Sequence, residues 1–278
     1  MTLTKRIALV TGASRGIGKA TAIALAEVGY DVAITARTVR EGDGIDDSDS
    51  ERRPVPGSLE STAATIEARG RTALTIEMDL LDKDSLTAAV ATTVSEWGQI
   101  DLLVNNAVHT GPGSMSTLAD TSVEMIETKL AANVIAPVIL IQTVLPLMVE
   151  RGTGTIINVT SAVAVTDPLA PAGQGGWGAA YAMSKGALHR LAGILAVEYP
   201  ELRFFNVEPG YVVTERMEVN AERLGLKGKF PGAPPSVPAA VIAWCATSSE
   251  ADALNGQMVS AQRVAREKKL HAAWNRGT

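Results

Sequence analysis

Tyr181 and Lys185 lie four residues apart in the run Tyr181-Ala182-Met183-Ser184-Lys185. That spacing puts both on one face of a helix, so a phenol and an ammonium can approach the same ligand. A phenol with its ordinary pKa of about 10 is a sluggish acid or base at neutral pH, and a neighbouring ammonium lowers that pKa by favouring the phenolate. The pattern by itself arises by chance in many helices; its company gives it weight. Ser161 closes a strand at its carboxyl end, where open α/β sheets bind ligands. Asn133 lies inside a long apolar helical stretch, where an amide needs a hydrogen-bond partner. No G-x-S-x-G elbow surrounds Ser161, which disfavours serine hydrolysis.

A second cluster opens the chain. The first strand runs into Thr11-Gly12-Ala13-Ser14-Arg15-Gly16-Ile17-Gly18 and then a helix. Glycines permit a sharp turn and close approach of backbone to ligand, and a helix N-terminus offers N–H donors and a positive dipole end to a pyrophosphate. The spacing is G-x-x-x-G-x-G, not the commoner G-x-G-x-x-G, and a tight turn alone would account for the glycines. Their position decides for a nucleotide, because the first strand–helix turn of a doubly wound sheet is where one binds. The second strand ends Ala36-Arg37-Thr38 with no acid at its tip. An acid there would bond a ribose 2′-hydroxyl, whereas an arginine accepts a 2′-phosphate. Arg37 with Arg15 would clamp such a phosphate, so NADP is expected over NAD, with NAD as the alternative.

These groups need a scaffold. Short apolar runs at 6–10, 31–35, 72–78, 102–104, 155–159, 203–207 and 257–260 read as strands, several continuous enough to be covered on both faces. Helical patterns fill 18–29, 58–69, 85–97, 122–149, 179–199 and 238–247. The alternation predicts an α/β fold: a Rossmann-like, doubly wound, mostly parallel seven-stranded sheet with helices on both faces. One domain is expected over 1–262, with a basic tail at 263–278 read as a surface helix. Three stretches break the pattern. Residues 40–57 form a polar, acidic insertion read as a solvated, mobile loop; Asp47, Asp49 and Glu51 do not make a calcium loop, since Arg52 stands where its glycine is needed. Residues 167–178 are rich in Pro and Gly, and 215–238 form a long mixed segment; long loops in compact domains are often lids or binding loops.

With these motifs in order, the chain resembles the short-chain dehydrogenase/reductase family. The resemblance rests on TGASRGIG at 11–18, Asp79 after Met78, Asn105-Asn106-Ala107, Asn133, Ser161, Tyr181 with Lys185, and Pro209-Gly210 followed by Thr214. It implies a nicotinamide-dependent oxidoreductase interconverting a secondary alcohol and a ketone. Tyr181 is then the general acid–base. Lys185 lowers its pKa and binds the nicotinamide ribose, Ser161 hydrogen-bonds the substrate oxygen, and Asn133 holds a water linking Lys185 to solvent. Gly12, Ser14, Arg15, Gly16, Ile17 and Gly18 cradle the cofactor, with Arg37 beside them. Asp79 takes the adenine amino group with Leu80 alongside, and Asn105 and Ala107 line the cleft. Pro209, Gly210, Val212 and Thr214 seat the nicotinamide. Rival readings keep the fold but run dehydration or epimerisation, or make the chain a non-catalytic NADP sensor.

The sequence departs from the family where Val108 replaces the usual glycine, and in the 20 residues separating Ser161 from Tyr181. The 167–178 segment absorbs that excess and reshapes the substrate entrance, with Ser161, Val163, Trp177 and Met217 as substrate contacts. Leu169, Trp177, Met217, Leu224, Leu226 and Phe230 in the flanking loops point to an apolar small-molecule carbonyl or alcohol.

Composition closes other routes. With 46% apolar and 20% charged residues the chain can build a large core. Only 4% aromatics and a net charge of −5 disfavour nucleic acid. The single cysteine, Cys245, has no disulfide partner in the chain and fits a reducing compartment. His109, His189 and His271 form no metal-ligand spacing, so no metal is expected. The greasy stretch 132–149 is broken by Asn133, Pro137, Gln142 and Pro146, and reads as a buried or interface helix and not a membrane span. No export signal is read at the N-terminus, and a cytoplasmic protein is expected. Apolar helices at 132–149 and 179–199 suggest a homodimer or homotetramer.

Overall fold

The computed structural model describes residues 5–46, 51–221 and 232–274. Nine strands appear in chain order: β1 (Arg6–Thr11), β2 (Tyr30–Ala36), β3 (Ile45–Asp46), β4 (Arg53–Pro54), β5 (Ala73–Glu77), β6 (Leu102–Asn105), β7 (Thr155–Val159), β8 (Arg203–Glu208) and β9 (Met258–Ser260). Seven of them form one parallel sheet in the order β5-β2-β1-β6-β7-β8-β9. Every residue of β2 and of β7 is buried, which is why these runs are mainly apolar instead of alternating. The expected Rossmann-like sheet is present, with strand ends shifted by at most one residue.

Helices α1 (Gly16–Glu27), α2 (Leu59–Glu67), α3 (Lys83–Trp97), α4 (Val123–Leu130), α5 (Ala136–Arg151), α6 (Ala179–Glu198), α7 (Glu215–Asn220), α8 (Ser236–Thr247) and α9 (Ala261–Glu267) complete the chain order. They make the crossovers that parallel strands require. Two apolar clusters lie on opposite faces of the sheet. One joins Leu25 of α1 and Val241 of α8 to Ile34, Phe205 and Val259; the other joins Leu86 of α3 and Val144 of α5 to Leu9, Leu103 and Phe204. The strand order reverses between β1 and its two neighbours, so a crevice opens at the carboxyl end of β1.

The apolar stretch expected as one helix is α4 and α5 joined through a π-helical turn, Ala131–Ile135. Pro137 follows directly, and a proline has no N–H to give the carbonyl four residues back. The rod Val123–Arg151 is long and apolar enough to cross a bilayer, but half of its most apolar window is buried within the protein. Gly152 ends it in the left-handed region at φ 64°.

Two expectations need correction. The 40–57 insertion is not a loose solvated loop in its described parts. β3 and β4 pair antiparallel, Val55 N–H donates to Gly44 O at 2.9 Å, and Gly57 N–H donates to the Glu41 carboxylate at 2.8 Å. Asp46 is fully buried, and its carboxylate accepts from the Asn220 amide of α7. Asp47 and Asp49 lie outside the described residues. The described part of the tail, 263–274, is only partly a surface helix: Arg263, Arg266 and Glu267 of α9 are exposed, while Val264 and Ala265 are buried in the core with Leu270 and Trp274 packed against it.

Candidate active site

The carboxyl ends of β1, β2 and β6 open into a cleft of about 370 Å³. Its floor is the β1–α1 turn. Gly12 and Gly16 have φ of 68° and 56°, values that favour glycine. A Cβ on Gly18 would lie 2.2 Å from Gly12 O, so the helix starts there only because residue 18 has no side chain. The turn is stapled to β6 from beside it. Thr11 Oγ1 accepts from the N–H groups of Asn106 and Ala107 at 3.0 Å, and Asn106 Nδ2 donates to Thr11 O at 2.8 Å. Gly16 N–H donates to the Glu215 carboxylate at 2.9 Å. A carboxylate of the chain itself thus sits on the first N–H of α1, where the helix favours an anion. That contact and the glycine cradle fit the diphosphate of a dinucleotide.

At the end of β2, Arg37 and Thr38 line the cleft, as do Asp79 and Leu80 beyond β5. Arg15 does not reach freely toward Arg37. Its Nε donates to Pro56 O at 3.0 Å, and its Nη2 donates to Gly57 O at 2.9 Å and to Thr38 Oγ1 at 3.2 Å. Burial, then the charge of Arg216, holds its pKa below the usual value.

Ser161 follows β7 and caps a short 3-10 turn, Ala162–Ala164, accepting from Val163 N–H at 3.4 Å. Its hydroxyl lies close enough to the Tyr181 phenol to act on that group's pKa, although Ser161 itself is outside the cleft lining. Trp177 packs on Tyr181 with ring centroids 5.2 Å apart, and both line the cleft with Met217. Burial pushes the phenol up to about 12, and the Ser161 hydrogen bond opposes this weakly. Lys185 is buried, and its Nζ donates to Val159 O at 2.8 Å. Burial brings this ammonium down to about 8. The expected lowering of the phenol by Lys185 is therefore not what the cofactor-free chain shows; desolvation governs both groups.

Asn133 sits in the π-helical turn, a common location for functional residues. Its Oδ1 accepts from His109 N–H at 2.8 Å and its Nδ2 donates to Ser184 Oγ at 3.2 Å. Ser184 Oγ in turn donates to Tyr181 O at 2.8 Å. Asn133 thereby ties the loop after β6 to the first turns of α6. Lys129, one turn earlier and fully buried, donates to Gly111 O at 2.8 Å. Sequence reasoning missed it; a lysine inside an apolar helical pattern was the available signal.

Several assignments move. Asn105 does not line the cleft; Asn106 and Ala107 do. Asn105 points into the sheet, where its Nδ2 donates to Asn158 Oδ1 at 3.0 Å, Asn158 Nδ2 reaches Asn206 Oδ1 at 3.5 Å, and Asn206 Nδ2 donates to His189 O at 2.6 Å. Of the 209–214 segment, Thr214 lines the cleft and caps α7, while Pro209, Gly210 and Val212 lie outside that lining. Gln262 Nε2 holds the first part of that segment by donating to Pro209 O and Tyr211 O, and Val212 bridges to Ala233. Val163 backs Ser161 from outside the cleft lining. Val108 and His109 form part of the cleft wall. Leu224, Leu226 and Phe230 lie outside the described residues. Among the described residues no group of three His, Cys, Asp or Glu is placed to hold a metal.

The model of the short chain dehydrogenase family matches residues 6–48 and 53–224. The chain is a short-chain dehydrogenase/reductase. An uncharacterised oxidoreductase of Mycobacterium tuberculosis is 32% identical over 235 residues, covering 84% of this chain and 79% of its own. The 2-(R)-hydroxypropyl-CoM dehydrogenase of Xanthobacter autotrophicus is 34% identical over 219 residues, covering 75% of each. A solved metagenomic short-chain oxidoreductase in complex with NADP superposes with a TM-score of 0.69 at 28% identity, covering 94% of this chain and 97% of that one. Within this short-chain dehydrogenase/reductase, the family match is interrupted only at 49–52, between β3 and β4.

The buried Lys185 gives a stability prediction. Its pKa falls from 10.5 to about 8 on folding, so between those values the unfolded chain holds more protons and stability rises with pH. Relative to Lys185→Met, the wild type should gain up to about 3 kcal/mol from pH ~7.5 to ~10.5. Urea unfolding of both proteins across that range measures the difference; a constant or shrinking gap contradicts the assignment.

Proposed function

We propose that the chain interconverts a secondary alcohol and a ketone, with NADP(H) as cofactor and an apolar carbonyl compound as substrate. The observation that carries this reading is the Tyr181 phenol on the cleft wall against the ring of Trp177, with the Ser161 hydroxyl close behind it. A bound nicotinamide dinucleotide supplies or accepts the hydride. The chain's own groups handle the oxygen and its proton. Ser161 Oγ already accepts from Val163 N–H, so its own proton is available to the carbonyl oxygen. Tyr181 holds a proton at Oη throughout the neutral range, because desolvation keeps the phenol near 12, and it delivers that proton to the same oxygen. Charge developing there meets two fixed donors. One N–H of Lys185 goes to Val159 O; the reading assigns the others to the ribose hydroxyls. Asn133 keeps α6 in place against the loop after β6.

Arg37, Thr38 and the nearby Arg15 support a 2′-phosphate, since an arginine accepts one where an acid would repel it. The solved relative with NADP is consistent with this. Arg37→Asp should weaken NADPH binding by about tenfold or more and leave NADH within about threefold. Comparable wild-type affinities for the two cofactors would remove the preference. The substrate reading rests on Met115, Trp177 and Met217 at the cleft. Consumption of NADPH against a panel of apolar ketones tests it. Exposed Ile194 and Val197 on α6, with Ile135 on the long rod, support a homodimer or homotetramer; a monomeric mass in solution would argue against that.

A further inference from the structure

Arg216 is the second residue of α7, directly after the Glu215 that bonds Gly16. Its side chain is tied at two places on opposite sides of β1. Nη1 donates to Thr110 Oγ1, on the loop after β6. Nε lies 3.5 Å from Asp46 Oδ1, on the β3–β4 hairpin that follows β2. Since β1 lies between β2 and β6 in the sheet, a guanidinium tethered to both sides crosses above the β1–α1 turn. It lines the same cleft as Gly12, Gly16 and Gly18. Arg15 starts at that turn but directs its guanidinium to Pro56, Gly57 and Thr38, toward the end of β2.

Three arginines line the cleft among the described residues, and this geometry divides them. Arg37 and Arg15 serve the β2 end, and Arg216 stands over the helix N-terminus. Asp46 is buried and also held by Asn220, whose Oδ1 accepts from Arg53 Nη1 at 3.4 Å. The hairpin therefore fastens α7 as a unit and fixes where Arg216 points. The family match breaks at 49–52, inside this hairpin.

We propose that Arg216 is a further cofactor-binding residue, which closes over the diphosphate of the bound dinucleotide from the α7 side, and that Asp46 of the β3–β4 hairpin positions it. The Glu215 carboxylate leaves the Gly16 N–H when the diphosphate takes its place. Two adjacent α7 residues of opposite charge thus exchange roles: the acid holds the seat in the free chain, and the arginine meets the anion in the loaded one. A guanidinium fork suits paired phosphate oxygens better than an ammonium does. This inference rests on the reading that the cleft takes a nicotinamide dinucleotide.

The test is equilibrium binding of NADPH and of NADH by nicotinamide fluorescence, with wild type, Arg216→Met, Arg216→Lys and Asp46→Asn. Because both cofactors carry the diphosphate, Arg216→Met should weaken both by a similar factor of about ten or more. It should also flatten the dependence of log Kd on log salt. Arg216→Lys should recover part of the loss. Asp46→Asn should cost less, and adding it to Arg216→Met should cost nothing further. Thermal midpoints of all variants separate loss of fold from loss of binding. A loss confined to NADPH would move Arg216 to the 2′-phosphate and overturn the proposal, as would affinities within twofold of wild type. Additive losses for Asp46 and Arg216 would overturn the positioning role. A wild-type chain that bound neither cofactor would overturn the oxidoreductase reading with it.

Discussion

Tyr181→Phe should lower kcat/KM for carbonyl reduction by ~10²–10⁴-fold while NADPH affinity stays within about threefold of wild type. The substitution removes one oxygen and keeps the ring against Trp177, whose centroid lies 5.2 Å away. Packing at the cleft wall is therefore retained and only the proton source is lost. In the cofactor-free chain the phenol is protonated across the neutral range, so the resting site is already set to donate. Ser161 cannot substitute for it, because an alcohol in that position is a hydrogen-bond donor with no means of replacing its proton. The measurement is the loss of nicotinamide absorbance on the best ketone of a panel, with fluorescence titration of NADPH alongside. Wild-type turnover by the Phe variant would remove Tyr181 from the acid–base role. Equal loss of binding and turnover would make it a binding residue instead.

The second large effect falls on the backbone. Gly18→Ala should destabilise the fold by about 1–3 kcal/mol and sharply weaken dinucleotide binding. The added Cβ would meet Gly12 O at 2.2 Å, Asn106 Nδ2 at 2.4 Å and Gly12 C at 2.8 Å. Two of these atoms are backbone and cannot swing aside, so α1 must retreat from the β1 turn. The retreat would pull Gly16 and its N–H away from the anion seat, and it would strain the Asn106 staple to Thr11. Gly186→Ala in α6 is the matched control: its Cβ would meet nothing nearer than Ala164 O at 3.6 Å. There the change should be neutral or stabilising by about 0.5–1 kcal/mol, as for a helical glycine. Thermal melts and NADPH titration of both variants give the comparison. A benign Gly18→Ala would mean the turn is less tightly closed than its geometry states.

Local patterns carried the architecture. The central sheet strands were legible because strands covered on both faces are mainly apolar, and β2 and β7 are buried at every position. The Tyr181–Lys185 spacing and the glycine loop were legible for a similar reason: their partners lie within one helix or one turn. What escaped depends on distant partners. The β3–β4 hairpin looked solvated because its composition is acidic, yet Asp46 is buried against Asn220, 174 residues later. The tail looked like a surface helix because its charges are many, yet Val264 and Ala265 occupy the core. Asn105 and Asn106 were interchangeable as letters; the end of β6 separates them, sending the first into the sheet and the second to the cleft. The π-helical turn could not be read from an apolar run that satisfies an ordinary helix equally well.

The row of amides that Asn105 begins has a consequence for how the chain finds this fold. Asn105, Asn158 and Asn206 stand opposite one another in β6, β7 and β8, in strands whose buried residues are otherwise mainly apolar. Aliphatic side chains tolerate a strand sliding by two positions, since the same face stays greasy. The amides do not: a β7 slid by two positions would set Asn158 opposite Leu103 and Phe204 and leave its polar atoms unmatched in a dry interior, at a cost of about 1–3 kcal/mol for each. The three residues thus work as an alignment key for strands brought together from distant parts of the sequence. A folding chain that engages the key has set the height of the β7 end, and with it the level at which Ser161 emerges to meet Tyr181.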